Sequence, residues 1–178
     1  AQSTDAMRAA ADPHIVFTSS AVVYGNATGT LDETMTAAKQ TSIYGAMKLA
    51  SEALIEAYCE GYGMRADIVR LVSVVGEGYR HGNLLDFYRT LKTDPTCIHV
   101  HGSRAQRKYY IYVGDVVDAL LRTARASACT VLPSAEIWNV SHHEPNIIDD
   151  SIDAVCDILQ ITPTRADDGV SWTGDLPG

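Results

Sequence analysis

The stretch His14-Ile15-Val16-Phe17-Thr18-Ser19-Ser20 decides the fold class of this chain. Its residues 14–18 form a short apolar run that predicts a fully buried strand, which the two serines end. Residues 66–72 are rich in Ile, Val and Leu and predict a second strand of the same kind. Between them, residues 44–59 have the periodicity of an amphipathic helix. Buried strands that alternate with helices predict an α/β fold with a parallel sheet covered by helices.

The rest of the chain continues this alternation. Residues 25–42 are polar and predict a long loop, which in a compact domain is usually functional. The helix at 44–59 is expected to keep Glu52 and Glu56 away from its apolar face, which would hold Leu49, Ala53, Ile55 and Ala57. The other predicted elements are the end of a helix at 3–11, a glycine-rich loop at 76–82, a helix at 83–92, strands at 97–101 and 109–113, a helix capped by Asp115 and running to about residue 125, a strand at 136–140, a helix at 147–159 and an irregular tail at 161–178.

Composition narrows the function classes. The chain has 178 residues and a net charge of −8, which argues against nucleic acid or an anionic membrane as its main partner. It has four cysteines and no CxxC pair, so we expect reduced, mostly buried thiols and a cytoplasmic location. No apolar run approaches the roughly 20 residues that cross a bilayer. His142 and His143 have no carboxylate at ligand spacing, so we expect no metal site.

A tyrosine, a lysine and a serine form the constellation that carries chemistry. Tyr44 and Lys48 are four residues apart at the start of a helix, so both side chains point the same way. A free tyrosine has a pKa of about 10 and is a poor base at neutral pH, but an ammonium one turn away favours the phenolate. Ser20 can hold a substrate oxygen or relay its proton. Together the three groups can deprotonate a secondary alcohol while its hydride leaves to a nicotinamide.

Four segments carry a resemblance to a known family. They are FTSSAVVYG at 17–25, IYGAMKLASE at 43–52, IVRLVSVVGEG at 68–78 and QRKYYIYVGDVVDALL at 106–121. In this order and spacing they resemble the NAD-dependent epimerase/dehydratase family of the extended short-chain dehydrogenases/reductases. The resemblance implies a Rossmann-like, doubly wound parallel sheet with a small substrate-binding region. It also implies NAD as the cofactor, with NADP possible, and a nucleotide-diphosphate sugar as the substrate.

The resemblance assigns roles to single residues. It makes Ser20 the active-site Ser/Thr, Tyr44 the base, and Lys48 both its partner and a ligand of the nicotinamide ribose. Glu33 matches the family's acidic loop, although a solvated loop charge explains it equally well. The implied cofactor-binding residues are Ser19, Tyr44, Lys48 and Val72. The implied substrate-binding residues are Ser73, Asn83, Leu84, Arg107, Lys108 and Asp175.

A basic cluster in an otherwise acidic chain is the local sign of a phosphate partner. Arg104, Arg107 and Lys108 lie within five residues, which suits a diphosphate, whereas a solvated turn is the alternative. Arg80 in the glycine-rich loop is a second candidate. Two positions depart from the family pattern: Ser73 stands in place of an asparagine, and Lys108 in place of an arginine. Both departures bear on which sugar and nucleotide are used.

The glycine-rich fingerprint of a dinucleotide site does not occur near the start of the chain. By resemblance, about four strands precede residue 15 in a sheet of this kind. We therefore expect a fragment that forms a single partial domain and does not bind NAD tightly alone. Residues 1–75 would hold the end of the NAD-binding core, and residues 76–178 a mixed, mostly substrate-binding region.

Several activities stay open. A nucleotide-sugar epimerase is the leading interpretation, because dehydratases of the family usually carry an acidic pair where this chain has Ala21-Val22. An NADP-dependent reductase of a hydrophobic ketone is the second, although the basic cluster speaks against it. A non-catalytic substrate-binding fragment is the third, although the intact Ser/Tyr/Lys set argues against it. By resemblance, a homodimer formed through the Tyr44 helix and the helix before it is expected.

Overall fold

The computed structural model describes residues 14–35, 39–127 and 134–167. Its main sheet holds three parallel strands in the order β1-β2-β7, namely β1 (His14–Ser20), β2 (Arg65–Leu71) and β7 (Ala135–Val140). β2 has a neighbour on each edge and is buried from Ala66 to Arg70. The predicted α/β class with parallel strands is therefore confirmed.

Helix α1 (Ile43–Tyr62) covers one face of this sheet. It begins where Ser42 Oγ accepts a hydrogen bond from the Gly45 N–H at 3.0 Å, and it ends at Gly63, whose φ of +67° is left-handed and favours glycine. The first hydrophobic core lies between α1 and the sheet. Its buried members are Ile55, Cys59, Met64, Ala66 and Ile68.

A second helix, α3 (Val113–Ser127), also packs against β2. Side chains alternate along a strand, so Ala66 and Ile68 face α1 while Asp67 and Val69 point to the opposite side. The two helices together explain why both faces of β2 are buried.

The remaining strands form short pairs beside the main sheet. Two pairs are parallel: β3 (Ser73–Val75) with β6 (Tyr110–Tyr112), and β4 (Cys97–Val100) with β9 (Thr164–Asp167). One pair is antiparallel: β5 (Arg107–Lys108) with β8 (Asn146–Ile147). Helices α2 (Asn83–Thr93) and α4 (Ile148–Leu159) enclose a second core with β4. Its buried members are Leu91, Ile98, Val100, Ile148, Ile152, Val155 and Cys156.

Two expectations about burial are wrong. The stretch 14–18 is not fully buried, because β1 pairs only with β2 among the described strands, and Val16 is 38% exposed. The buried face of α1 is also rotated from the expected one. Ala53 and Ala57 are exposed, whereas Glu52 is buried. The pattern of apolar residues predicted the wrong buried face, because Glu52 has buried polar partners, which are described below.

Two expectations about local structure are also wrong. Asp115 does not cap its helix, because α3 already begins at Val113 and Asp115 lies in its first turn. The tail is not irregular throughout, because Thr164–Asp167 form β9 alongside β4. Tertiary pairing decides that strand, whose own sequence has little strand character. The expected helix at 3–11 lies outside the described residues.

Candidate active site

The carboxyl end of β1 carries two serines with different surroundings. Ser19 is buried, and its Oγ donates a hydrogen bond to Oε1 of Glu52 on α1. Ser20 is half-buried and begins the short 3-10 turn Ala21–Tyr24, where its Oγ accepts from the Val22 N–H at 3.3 Å. A hydroxyl that accepts a bond still has its own proton to give. Ser20 is therefore able to donate to a substrate oxygen, while the Ser19 side chain points into the interface between sheet and helix.

Tyr44 and Lys48 lie in the first turns of α1, beside the same end of β1. The Tyr44 ring is 55% exposed, and Lys48 Nζ lies 5.8 Å from its centroid. Lys48 Nζ also donates to the Thr18 carbonyl oxygen at 2.8 Å. Because Thr18 stands two residues before Ser20, this bond brings the Tyr–Lys pair to the strand end that carries the serine. The helix spacing and this bond thus bring Tyr44 and Lys48 to the end of β1.

A buried ion pair supports this end of the sheet. It was not predicted from the sequence. Arg70 on β2 donates to Glu52 through Nε at 3.2 Å and through Nη2 at 2.7 Å. Burial lowers the pKa of Arg70, but the hydrogen bonds that it makes with Glu52 and Tyr24 outweigh this effect, so the pKa stays above its usual value. One signal was available in the sequence, because an arginine inside a strand predicted to be buried requires a charged partner.

The loop at 25–35 is tied to the carboxyl end of β7. Tyr24 Oη lies 2.8 Å from Asn139 Oδ1 and 3.0 Å from the Asp32 carbonyl oxygen. Glu33 accepts a hydrogen bond from the Asn139 N–H at 2.7 Å, so its carboxylate is not simply a solvated loop charge. Gly25 has a φ of +60°, and a Cβ there would lie 2.3 Å from the Lys39 carbonyl oxygen. This loop is therefore anchored at both of its described ends.

The glycine-rich loop after β3 borders an open groove of about 370 Å³. Gly76 packs so closely on the segment after β6 that a Cβ would lie 2.5 Å from Val113 Cγ1. Tyr112 Oη donates to Glu77 Oε2 at 2.9 Å. Hydrogen bonds from its own backbone N–H and from Tyr112 lower the pKa of Glu77, and the same carboxylate raises the pKa of Tyr112. Arg80, the second phosphate candidate, also lines this groove.

The expected basic cluster is divided by the fold. Arg104 forms ion pairs with Asp149 at 3.3 Å and with Asp167 at 3.1 Å, which tie its turn to α4 and β9. Arg107 and Lys108 are consecutive residues of β5, so their side chains leave on opposite sides of the strand. Arg107 is exposed and Lys108 is half-buried. The structure therefore does not direct these three cations toward one ligand.

The other predicted binding residues lie near the ends of strands and helices. Val72 is half-buried between β2 and β3, and Ser73 is exposed at the start of β3. Asn83 and Leu84 form the first turn of α2, and Gly82 before them offers no side-chain cap to the free N–H groups of that turn. Asp175 lies outside the described residues.

Cysteines, metals and membranes add little to the site. Cys59 and Cys156 are buried free thiols, and Cys97 is a half-buried one. Burial and the nearby Glu56 raise the pKa of the Cys59 thiol. Within the described ranges, no group of three His, Cys, Asp or Glu side chains is placed to hold a metal ion. No helix in this part of the chain is long and apolar enough to cross a membrane.

A curated protein matches most of the chain in sequence. Over 129 residues the chain is 31% identical to a dTDP-D-glucose 4,6-dehydratase of Mus musculus, an alignment that covers 70% of this chain and 34% of the mouse protein. The chain thus spans about a third of the length of this curated relative. The mouse protein's name contains the word dehydratase, so the comparison leaves the reaction type open.

Solved structures resemble the fold over nearly all of the chain. A UDP-galactose 4-epimerase superposes with a TM-score of 0.84 at 30% identity, covering 98% of this chain and 56% of that one. MoeE5 in complex with UDP-glucuronic acid and NAD superposes with a TM-score of 0.80 at 24% identity and supports the fold alone. The family model for the NAD dependent epimerase/dehydratase family matches residues 3–141, which is more than half of the chain. The chain therefore belongs to the NAD-dependent epimerase/dehydratase family.

Proposed function

We propose that the protein is an NAD-dependent epimerase of a nucleotide-diphosphate sugar. The observation that carries this proposal is the Lys48–Thr18 hydrogen bond, which brings the helix with Tyr44 and Lys48 to the end of β1 that carries Ser20. Ligands of parallel α/β sheets bind at the carboxyl ends of the strands. The similarity to a UDP-galactose 4-epimerase over 98% of the chain favours this substrate class.

The three residues divide the proton chemistry among them. Tyr44 takes the proton of a sugar hydroxyl as the carbon–oxygen bond becomes a carbonyl. The Lys48 ammonium stabilises the phenolate that makes this transfer possible, and Ser20 donates a hydrogen bond to the substrate oxygen. Tyr44 returns the proton when the carbonyl is reduced on its other face, which inverts the carbon. Bound NAD supplies the hydride acceptor of the first half-reaction and the donor of the second.

The donor set at this end of β1 suits the ribose of a nicotinamide cofactor. An ammonium carries three N–H bonds, and Lys48 donates one of them to the Thr18 carbonyl. The other two are available for ribose hydroxyls. We assign Ser19 and Val72 to the same cofactor region through their positions at the ends of β1 and β2. NADP is the alternative cofactor.

The nucleotide diphosphate is assigned to the first turn of α2 and to β5. Asn83 and Leu84 offer backbone N–H groups at a helix N-terminus, where anions are stabilised. The exposed Arg107 and its neighbour Lys108 supply positive charge, and we assign Ser73, exposed at the start of β3, to the sugar. Asp175 completes the assigned set of substrate-binding residues.

Turnover of the full-length protein tests the proposal. We expect NAD-dependent interconversion of UDP-glucose and UDP-galactose, and we expect Tyr44→Phe to lower kcat by about 10²–10⁴-fold. Tyr62→Phe is the matched control, because Tyr62 lies on the same helix and is 54% exposed, against 55% for Tyr44. Equal activity of the two variants would contradict the assignment of Tyr44 as the base.

Dehydration of the sugar is the second candidate, favoured by the 31% identity to the mouse dTDP-D-glucose 4,6-dehydratase. Against it stands the 3-10 turn Ala21–Tyr24, which carries no acidic residue in its first turn. Mass spectrometry of the product separates the two reactions, because dehydration removes one water and epimerisation leaves the mass unchanged. Turnover of hydrophobic ketones with NADPH would instead indicate a reductase, and binding without turnover a substrate-binding fragment.

We also propose that the protein is a homodimer joined through α1. One side of this helix exposes large apolar residues, Ile43 at 82%, Met47 at 65% and Leu54 at 41%. Together with the exposed Ala50, these positions follow one another at intervals of four, three and four residues, which is the spacing of a helix-packing seam. A second copy of the same helix matches such a seam in length and character.

A further inference from the structure

A pair of side-chain bonds fastens α1 to the end of β1. Lys48 Nζ donates to the Thr18 carbonyl oxygen at 2.8 Å, and Ser19 Oγ donates to Glu52 Oε1. The two helix residues are one turn apart, and the two strand residues are consecutive. The bonds therefore fix both the height and the rotation of the helix relative to the strand that carries Ser20.

A third side chain that bonds to Glu52 comes from the neighbouring strand. Arg70 on β2 is the register partner of Ser19 on β1, so both donors approach Glu52 from the sheet. Nε and Nη2 of the guanidinium meet the two carboxylate oxygens at 3.2 and 2.7 Å. The guanidinium carbon also lies 4.8 Å from the centroid of the Tyr24 ring, at the end of the 3-10 turn that Ser20 begins.

Burial makes this arrangement rigid. Glu52 is 2% exposed, Ser19 4% and Arg70 6%. Oε1 of Glu52 accepts from Ser19 and from Nε of Arg70, and Oε2 accepts from Nη2 of Arg70; burial keeps water from replacing these donors. A surface ion pair would not hold a helix in this way, because it is screened and mobile.

We infer that Glu52, held by Arg70, is a positioning residue that sets Lys48 and Tyr44 at their working distance from Ser20. This inference rests on the proposed function and adds two residues to it that touch neither substrate nor cofactor. Without the carboxylate, the buried guanidinium loses its partner and the helix turn at 48–52 is free to shift along β1. A shift of that turn moves the Lys48 ammonium and the Tyr44 phenol together relative to Ser20, which acts on proton transfer rather than on substrate affinity.

Three variants of the full-length protein separate positioning from stability. Glu52→Gln removes the charge and keeps the size. Ser19→Ala removes the side-chain bond between β1 and α1 and keeps the backbone of Ser19, through which it is assigned to the cofactor region. Asp67→Asn is the matched control. Asp67 is also a fully buried carboxylate, held by His14 at 2.9 Å and Trp138 at 2.9 Å, and it lies three residues from Arg70 on the same strand.

The readout is the NMR chemical shift of the Tyr44 ring at one fixed pH, observed in protein with 13Cζ-labelled tyrosine, together with kcat and KM. For Glu52→Gln we expect the Tyr44 signal to move, since the start of α1 is displaced from the end of β1. We expect kcat to fall about 10- to 100-fold with little change in KM. Ser19→Ala should move both quantities in the same direction by less, and Asp67→Asn should move neither.

Each result either supports or overturns the role of Glu52 as a positioning residue. An unchanged Tyr44 signal in both Glu52→Gln and Ser19→Ala, or an equal change in Asp67→Asn, would overturn the inference. If Glu52→Gln does not fold, Ser19→Ala carries the test, because it leaves the ion pair intact. A wild-type protein that turns over no nucleotide sugar would refute the proposed function, whereas the NMR signal of Tyr44 would still decide whether Glu52 positions the Tyr–Lys pair.

Discussion

Two buried carboxylates, Glu52 and Asp67, show how single residues shape this protein. Each is nearly inaccessible to solvent, and each is bonded to donors from other elements. Glu52 serves the end of the sheet that carries the candidate active site. Asp67 joins all three strands of the main sheet, since His14 lies on β1 and Trp138 on β7.

Replacing Asp67 should affect stability rather than chemistry. Asp67→Ala leaves the His14 and Trp138 donors unsatisfied, and each such group costs about 1–3 kcal/mol. Urea unfolding followed by circular dichroism measures the loss. Trp138→Phe removes only one donor and should cost less. A variant as stable as the wild type would show that the two donors find other partners.

Acid should weaken the end of α2 through Asp94. Its carboxylate accepts hydrogen bonds from the side chain and backbone of Thr96, which lower its pKa below the ordinary value of 3.8. A depressed pKa contributes stability above the unfolded-state value and loses it as the pH falls through the folded-state value. The stability difference between wild type and Asp94→Asn should therefore shrink on going from pH 6 to below about 3. A difference independent of pH, measured by urea unfolding, would contradict this account.

At the scale of elements, ion pairs and glycines hold the loops against the sheets. Arg104 links its turn to α4 and β9 through ion pairs. The carboxylate of Asp149 also forms an ion pair with Arg165 at 3.5 Å. The loop after Tyr24 depends on the positive φ of Gly25. These contacts join segments that are far apart in sequence.

Arg104 and Arg107 should behave differently although they are three residues apart. Arg104→Ala should lower stability modestly, by about 0.2–1 kcal/mol for each partly exposed ion pair, and leave KM unchanged. Arg107→Ala should raise KM for the nucleotide sugar and leave stability unchanged, because Arg107 is exposed on β5. Thermal unfolding and initial-rate kinetics on both variants provide the comparison. The reverse pattern would move the phosphate contact to Arg104.

Gly25→Ala tests whether backbone geometry shapes the loop beside the site. The added Cβ would meet the Lys39 carbonyl oxygen at 2.3 Å, and the left-handed φ disfavours any Cβ there. We expect a loss of stability of more than about 1 kcal/mol. Gly29→Ala is the control, because that glycine also has a positive φ but has no atom within 4 Å of its Cβ position. Equal losses in both variants would assign the effect to φ alone.

At the scale of the whole molecule, the exposed apolar side of α1 is the feature that the monomer leaves unexplained. We expect native mass spectrometry of the full-length protein to give a dimer and Leu54→Glu to give a monomer, because a charge in an apolar helix seam is costly. Ile158→Glu is the control, since Ile158 is 74% exposed on α4, away from the seam. A wild-type monomer at micromolar concentration would refute the dimer.

The sequence by itself determined the parts that depend on near neighbours. The apolar runs and helical periodicity predicted the β1-α1-β2 unit, and the four-residue spacing of Tyr44 and Lys48 placed both on one side of a helix. Ser20 at a strand end followed from the same local pattern. These relations depend on backbone geometry over one or two turns, which a sequence states directly.

Only the tertiary structure decided which distant groups meet. Glu52 looked like a surface residue until Arg70 and Ser19 approached it from two strands. Arg104 looked like a phosphate ligand until Asp149 and Asp167, 45 and 63 residues away, became its partners. The physical reason is that the chemistry of a charged side chain does not by itself decide whether the side chain is buried or what it binds. Its place depends on whether the fold brings an opposite charge to it, and periodicity carries no information about that.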